Sequence, residues 1–184
     1  MNSYDAILDF APCRIGARFT GEALTGLNYL PPDAPLTRHP DQRAKHLANE
    51  LEHYTHNPEH VFDLLFVLSG TSFQLHVWRV LLTISAGKTL TYGALAAQLN
   101  TAPRAVGQAC GSNPLPLVIP CHRVVSASGL GGFMHAASGA PLDIKAWLLQ
   151  HEGGNFANGI ASSRPFSQLS FPLSPTLPRL RERG

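Results

Sequence analysis

The chain of 184 residues is 44% hydrophobic, which suffices for one or two small domains with a buried core and argues against global disorder. Its apolar runs fall short of the roughly 18 residues that a membrane span needs, and residues 1–5 lack the basic and apolar regions of a signal peptide. A cytoplasmic protein is therefore expected. The net charge is only +2, and four of the 14 basic residues lie beyond residue 153, so bulk charge gives no sign of a nucleic-acid ligand.

The cysteines Cys13, Cys110 and Cys121 are odd in number and form no Cys-x-x-Cys pair. This pattern argues against a disulfide framework and against a four-thiolate zinc site. Free thiols in a reducing compartment fit the sequence better.

The first third of the chain has the pattern of a small α+β lobe, placed at residues 1–69. Residues 4–30 alternate polar and apolar positions around three glycines, which predicts two or three short antiparallel strands. A helical pattern follows over about residues 40–54. Among the histidines here, His46 and His53 are a heptad apart and raise a zinc hypothesis, but zinc needs three or four ligands at supportive spacing. Surface histidines are favoured, and no metal is expected.

A second unit is predicted over residues 70–153, and it begins with three helices. Thr71 and Ser72 can cap a helix over residues 73–86. Two short helices, at residues 91–99 and 103–110, flank a tight turn and have the form of a helix-turn-helix.

The rest of this unit is predicted as a two-residue strand, a long loop and a last helix. The strand is at residues 124–125, and the loop opens with a glycine-rich run at 126–132. The helix is predicted over residues 144–152. From residue 154 to 184 the composition turns to proline, serine and arginine without a period, which is typical of disorder.

The run Pro120-Cys121-His122-Arg123-Val124 proposes a reactive cysteine, because it places a thiol beside an imidazole after a short apolar segment. A thiol is a useful nucleophile as the thiolate, and an imidazole or a positive field is the usual means of lowering its pKa. Neighbouring side chains on an extended segment point to opposite faces. His122 is therefore expected to act through a bridging water or after a turn, and the residues leave this geometry open.

Several motifs in continuous order, over about residues 70–153, resemble those of the O6-alkylguanine-DNA alkyltransferases, also called methylated-DNA–protein-cysteine methyltransferases. The motifs are Ser72-Phe73-Gln74, Val77-Trp78, Thr91-Tyr92, Leu95-Ala96, Arg104-Ala105-Val106-Gly107, Asn113-Pro114, Pro120-Cys121-His122-Arg123-Val124, Lys145, Leu148-Leu149 and Glu152. The resemblance implies a mixed α/β (α+β) fold. A small N-terminal antiparallel-sheet lobe, ribonuclease H-like, is followed by a helical domain with a winged helix-turn-helix.

The implied activity is repair of DNA by direct reversal of damage, in which Cys121 takes the alkyl group from O6-alkylguanine irreversibly, one event per molecule. In the family, the thiol loses its proton through a water to the following histidine, which a buried glutamate orients. These residues match His122 and Glu152. Asn113 matches the asparagine that braces the turn before the cysteine, and Tyr92 matches a tyrosine whose hydroxyl helps to neutralise the departing guanine.

The implied partner is double-stranded DNA, bound by a monomer without a cofactor. The target base must leave the stack, and Arg104 matches the arginine that enters in its place. Ala105, Gly107 and Ala109 are expected to let this helix approach the minor groove closely. Phe133 stands where the family usually has a tyrosine that walls the base pocket, and the loop that follows it is longer than usual. The range of alkyl groups, and whether O4-alkylthymine is also a substrate, stay open.

Three other readings of the residues are weaker. A non-catalytic lesion binder of the alkyltransferase-like kind carries another residue, commonly tryptophan, in place of Cys121. A papain-type hydrolase needs a distant histidine and leaves the helix-turn-helix unexplained. A plain helix-turn-helix regulator leaves Cys121 unexplained.

Overall fold

The computed structural model describes residues 4–153, which divide into two compact units between Leu68 and Ser69. The first unit holds an antiparallel meander of β1 (Ala6–Phe10), β2 (Cys13–Thr20) and β3 (Ala23–Leu30), in spatial order β1-β2-β3. The prediction of two or three strands is confirmed.

Helix α1 (Gln42–His56) covers this sheet and begins where the side chain of Asp41 accepts a hydrogen bond of 2.9 Å from the amide of Ala44. Its apolar face and the inner face of the sheet form the core of the unit. The members of this core include Leu8, Ile15, Leu27, Leu47, Leu51 and Tyr54.

Up to residue 153, the second unit contains four helices, α2 (Ser72–Leu81), α3 (Tyr92–Gln98), α4 (Pro103–Gly111) and α5 (Ala140–His151). Between them lie β4 (Leu90–Thr91), a 3₁₀ turn at Cys121–Arg123 and β5 (Val124–Val125). The mixed α/β fold class, with a small antiparallel sheet and a helical unit, is confirmed.

The helix-turn-helix consists of α3, α4 and the turn between them. Asn100 takes the left-handed backbone conformation, with φ of 50°, and lets the amide of Thr101 bond back to the carbonyl of Ala96 at 2.9 Å. Such a closure ends a helix sharply and turns the chain. Pro103 then starts α4, where its missing N–H costs nothing.

Two predicted helix bounds and one core assignment are wrong. Helix α2 stops at Leu81 rather than residue 86, because the hydroxyl and the amide of Thr83 both bond to the carbonyl of Val80 and tighten the chain. Helix α5 starts at Ala140 rather than residue 144. The helical spacing of Trp147 and its apolar neighbours predicts a core position, but the side chain is half-buried and stacks on His151, with the ring centroids 4.9 Å apart.

Among residues 4–153 there is no helix whose length and apolar character would let it cross a membrane. The predicted disorder of residues 154–184 lies outside the described residues.

Candidate active site

Cys121 opens a single 3₁₀ turn in the second unit and is 3% exposed. The turn follows Pro120, whose carbonyl accepts a hydrogen bond of 3.0 Å from the amide of Arg123. The sequence left open how His122 can act on Cys121. On this turn the two side chains do not point to opposite faces, as they would on a strand. Both side chains are buried.

Asn113 braces this turn from the side of α4. Its Nδ2 donates to the carbonyl of Ile119 at 2.8 Å and to Sγ of Cys121 at 3.2 Å, and its Oδ1 accepts from the amide of Leu115 at 3.0 Å. One amide side chain therefore fixes the backbone before the cysteine and directs a donor at the sulfur. A donor at that position stabilises the thiolate more than the thiol.

The imidazole of His122 lies against Glu152, which follows the last residue of α5. The distance from Nε2 of His122 to Oε1 of Glu152 is 2.9 Å, and Arg123 donates to both carboxylate oxygens at 2.7 and 2.9 Å. Burial alone would raise the pKa of Glu152, but the hydrogen bonds from His122 and Arg123 outweigh it and hold the pKa well below its usual range. Glu152 is therefore an ionised acceptor.

An ionised partner fixes the proton of His122. Because burial lowers the pKa of His122 despite the carboxylate, the ring is neutral at pH 7. Its single proton stays on Nε2, where Glu152 accepts it. Nδ1 then carries a lone pair, and this buried atom has no hydrogen-bond partner in the described part of the chain. His122 thus offers a proton acceptor within the site.

The thiol itself starts protonated. Burial raises the pKa of Cys121, while the hydrogen bond from Asn113 and the charge of Lys145 act in the opposite direction without cancelling it. A base is therefore needed to form the thiolate at neutral pH.

Lys145 on α5 belongs to the site, although its place in the sequence predicts no role for it. It is fully buried, and its Nζ donates to the carbonyls of Val124 at 2.7 Å, Leu130 at 2.7 Å and Gly132 at 3.0 Å. Burial lowers its pKa to about 8, while the negative charges that Cys121 and Cys110 carry as thiolates act in the opposite direction. The ammonium ties the loop after Cys121 to α5 and places a positive charge near the sulfur.

A cavity of about 500 Å³ opens beside Cys121. Its lining comes from α3, α4, the 3₁₀ turn and the loop after β5, and it includes Tyr92, Arg104, Gly107, Cys110, Cys121, Phe133, Met134 and His135. The hydroxyl of Tyr92 donates to the carbonyl of Gly132 at 2.9 Å, and burial raises the pKa of Tyr92, so it keeps its proton. Phe133 is 4% exposed and forms an apolar wall.

The helix α4 presents a mixed face to this cavity. Arg104 is exposed and Gly107 half-buried, and both line the cavity; Ala105 is also half-buried. Ala109 was expected to face DNA, and this expectation is wrong. It is 2% exposed, and its carbonyl accepts a hydrogen bond of 2.8 Å from the indole of Trp78.

A tight turn between Phe133 and Ala136 lines one side of the cavity. The amide of each bonds to the carbonyl of the other, at 2.9 and 2.8 Å, while Met134 and His135 have φ of 51° and 62°. Two consecutive residues of positive φ define a type I′ turn, a conformation that asparagine and glycine adopt most easily. The ring of His135 packs on Gly111, where a Cβ atom would collide with it.

Within residues 4–153, no three His, Cys, Asp or Glu side chains come together in a group that could hold a metal ion. The site itself brings together the Cys121 thiol, the His122 imidazole, the Tyr92 phenol and the buried charges of Lys145 and Glu152.

Comparison with known proteins agrees with this geometry. The profile described as the DNA-binding domain of 6-O-methylguanine DNA methyltransferase matches residues 72–154. The methylated-DNA–protein-cysteine methyltransferase of Methanosarcina mazei is 42% identical over 114 residues, which are 60% of this chain and 69% of that protein. The chain belongs to the methylated-DNA–protein-cysteine methyltransferase family. A second member, from Methanocaldococcus jannaschii, is 45% identical over 93 residues, half of this chain and 53% of that relative.

The fold of this family member is also similar to solved structures. The crystal structure of Mycobacterium tuberculosis OGT in complex with DNA has a TM-score of 0.61 at 34% identity, covering 76% of this chain and 87% of that one. The crystal structure of M. tuberculosis O6-methylguanine methyltransferase has a TM-score of 0.64 at 32% identity, covering 85% of this chain and 95% of that one. By contrast, the match to the M. jannaschii sequence spans only about half of that relative's length.

Proposed function

We propose that this protein repairs double-stranded DNA by transferring the alkyl group of O6-alkylguanine to Sγ of Cys121. The observation that carries the proposal is the buried thiol at the cavity wall, together with the His122–Glu152 hydrogen bond of 2.9 Å behind it. A buried ionised carboxylate, a neutral imidazole with an unpartnered nitrogen and a thiol are the parts that an activated nucleophile needs.

The reaction is a displacement at carbon. Nδ1 of His122 receives the thiol proton through a water, and the thiolate attacks the alkyl carbon. A sulfur–carbon bond forms as the bond from carbon to O6 breaks, and the electron pair stays on the guanine. Tyr92 hydrogen-bonds the base and supplies a proton to it as the negative charge develops. In the free protein this hydroxyl donates to Gly132, so the base must compete for its proton.

The product is a thioether on Cys121, and neither the thiol site nor its partners provide a group that could break it. Each molecule therefore acts once. Asn113 remains a fixed donor to the sulfur throughout the reaction, and the Lys145 ammonium, which bonds to the loop carbonyls, remains a positive charge near it.

Engagement of the duplex falls to α4. Arg104, exposed at the mouth of the cavity, is proposed to enter the stack in place of the extruded nucleotide. Ala105 and Gly107 carry a methyl group and no side chain, respectively, so this surface of the helix can approach the minor groove closely. Phe133 offers an aromatic face on which the base can stack.

The test is intact mass spectrometry after mixing the full chain with a duplex that contains one O6-methylguanine. One methyl group should appear on the protein, in the peptide that contains Cys121, and excess substrate should add no second one. Cys121→Ser should remain unmodified, whereas the matched control Cys13→Ser, which removes a buried thiol of the other unit, should react as wild type does. Repeated turnover, or methylation elsewhere, would falsify the proposal.

A further inference from the structure

The cavity contains a second thiol that the alkyl-transfer mechanism does not use. Cys110 lies in the last turn of α4, is 6% exposed and lines the same cavity as Cys121. Cys13, the remaining cysteine, is buried on β2 of the other unit. Two of the three thiols of the chain therefore share one cavity.

Cys110 and Cys121 share two neighbours, Asn113 and Lys145. The backbone amide of Asn113 donates to the carbonyl of Cys110 at 3.3 Å, and its side chain donates to Sγ of Cys121 at 3.2 Å. The negative charge that either cysteine carries as a thiolate raises the pKa of Lys145 against the effect of burial. Burial raises the pKa of Cys110 to about 12, and the charge of Cys121 adds to this rise. The two Asn113 hydrogen bonds and the charge of Lys145 therefore link the surroundings of the two cysteines.

We propose that Cys110 and Cys121 are a redox pair, in which Cys110 captures oxidised Cys121 as an intramolecular disulfide. Peroxide is the oxidant. The Cys121 thiolate attacks one peroxide oxygen, the oxygen–oxygen bond breaks, and sulfenic acid and hydroxide form. The sulfur of Cys110 then attacks the sulfenic sulfur and displaces hydroxide. The hydroxide takes up the proton of the Cys110 thiol and leaves as water. Two thiols and one peroxide thus give one disulfide and two waters.

The two roles follow from the surroundings of each sulfur. Oxidation requires a thiolate, and Cys121 has the donor Asn113 and the proton acceptor His122 beside it, whereas Cys110 has neither among its described contacts. Cys110 supplies the second sulfur because it faces the cavity in which the sulfenic acid would form. The consequence is reversible protection, since a disulfide blocks the alkyl acceptor but returns to the dithiol with a reductant, while a sulfinic acid does not.

The protective consequence rests on the proposed function, whereas the disulfide itself does not, because it is tested on the free protein without DNA. One equivalent of hydrogen peroxide should reduce the intact mass of the full chain by two hydrogens, and proteolysis without reduction should yield a peptide that joins Cys110 to Cys121. Dithiothreitol should restore the original mass. Cys13→Ala should behave as wild type. With Cys110→Ala or Cys110→Ser, one equivalent should instead add a single oxygen to Cys121, which dithiothreitol removes, and excess peroxide should convert this sulfenic acid to a sulfinic acid that dithiothreitol does not reduce.

A second probe measures the proximity of the sulfurs without oxidation. Phenylarsine oxide condenses with two thiols, forming two arsenic–sulfur bonds and one water, and should add a single phenylarsenic group to the wild type. Cys110→Ala and Cys121→Ala should each lose that stable adduct, whereas Cys13→Ala should keep it. The proposal is overturned if wild type gains oxygen at Cys121 without a cross-link, if the linkage involves Cys13, or if the arsenical adduct survives in Cys110→Ala.

Discussion

Nε2 of His122 and Oε1 of Glu152 lie 2.9 Å apart across 30 positions of the chain, and both side chains are fully buried. Because the carboxylate can only accept, this contact determines which nitrogen of the imidazole is free. Arg123 balances the buried negative charge from the other side. The three side chains thus prepare a proton acceptor before any substrate enters the cavity.

His122→Ala should slow single-turnover transfer at pH 7 by about a hundredfold, the usual size of a general-base contribution. The defect should shrink near pH 9, because burial raises the pKa of Cys121 and a higher pH supplies the thiolate directly. Quenched-flow assays on methylated duplex at the two pH values would measure this. His76→Ala, an exposed histidine on α2, is the control. Equal rates of His122→Ala and wild type at pH 7 would contradict the proton path.

Arg104→Ala should lose about tenfold in rate on duplex DNA, equivalent to about 1.4 kcal/mol, yet react with free O6-benzylguanine at nearly the wild-type rate. The reason is that the free base needs no extrusion from a stack. Single-turnover rates on both substrates give the comparison, with Arg79→Ala, exposed on α2, as the matched loss of charge. If both substrates suffered equally, Arg104 would be shaping the cavity rather than holding the flipped state.

Lys145→Met should destabilise the protein by about 2–4 kcal/mol, because three buried carbonyls lose their donor. The rates on duplex and on free base should fall together, unlike those of Arg104→Ala, since Gly132 also positions the hydroxyl of Tyr92. Urea unfolding and single-turnover assays measure the two effects. Lys88→Met, an exposed lysine in the same unit, should change neither. A stable and fully active Lys145→Met would exclude the anchoring role.

Glu50→Gln in the first unit should change how stability depends on pH. Burial raises the pKa of Glu50 from 4.5 to about 7, despite the amide of Asp63, so the folded state binds the proton more tightly than the unfolded state. This stabilisation is complete below about pH 4.5 and is lost as the pH rises through 7. His60, 3.8 Å from the carboxylate, offsets part of the loss while it is protonated.

The glutamine cannot ionise, so its free energy of unfolding should improve relative to wild type between pH 5 and pH 8. Urea titrations at the two pH values measure the difference. Glu59→Gln, at an exposed position, should follow the wild-type profile. If the free energies of unfolding of Glu50→Gln and wild type changed in parallel with pH, ionisation of the buried carboxyl would not destabilise the folded state.

The sequence predicted most elements because their apolar periods and caps are local. Helix ends were harder. Thr83 ended α2 through bonds to a carbonyl three residues back. Helix α5 began early, at Ala140, after the N-cap Gly139, whose φ of 80° precedes a proline in the first turn. The glycine and Pro141 were visible signals of that start.

The candidate site was readable where its residues form a contiguous motif, as around Cys121. The role of Lys145 was not readable, because it depends on three carbonyls that only the folded loop brings together. The wrong placement of Ala109 on the DNA-facing side of α4 could have been avoided from the helical spacing of its residues. Arg104, Gly107 and Gln108 share the cavity face, whereas Ala109 falls on the inner face with Val106.

The parallel pair of β4 and β5 is only two residues long, with Leu90 opposite Val124 and Thr91 opposite Val125. Tyr92 directly follows the first strand, and the turn that starts at Cys121 directly precedes the second. The distance between the phenol and the sulfur is thus set by two backbone pairings rather than by the long stretch of chain between them. Insertions in the helix-turn-helix can accordingly change the surface of that motif while the phenol and the sulfur keep their alignment.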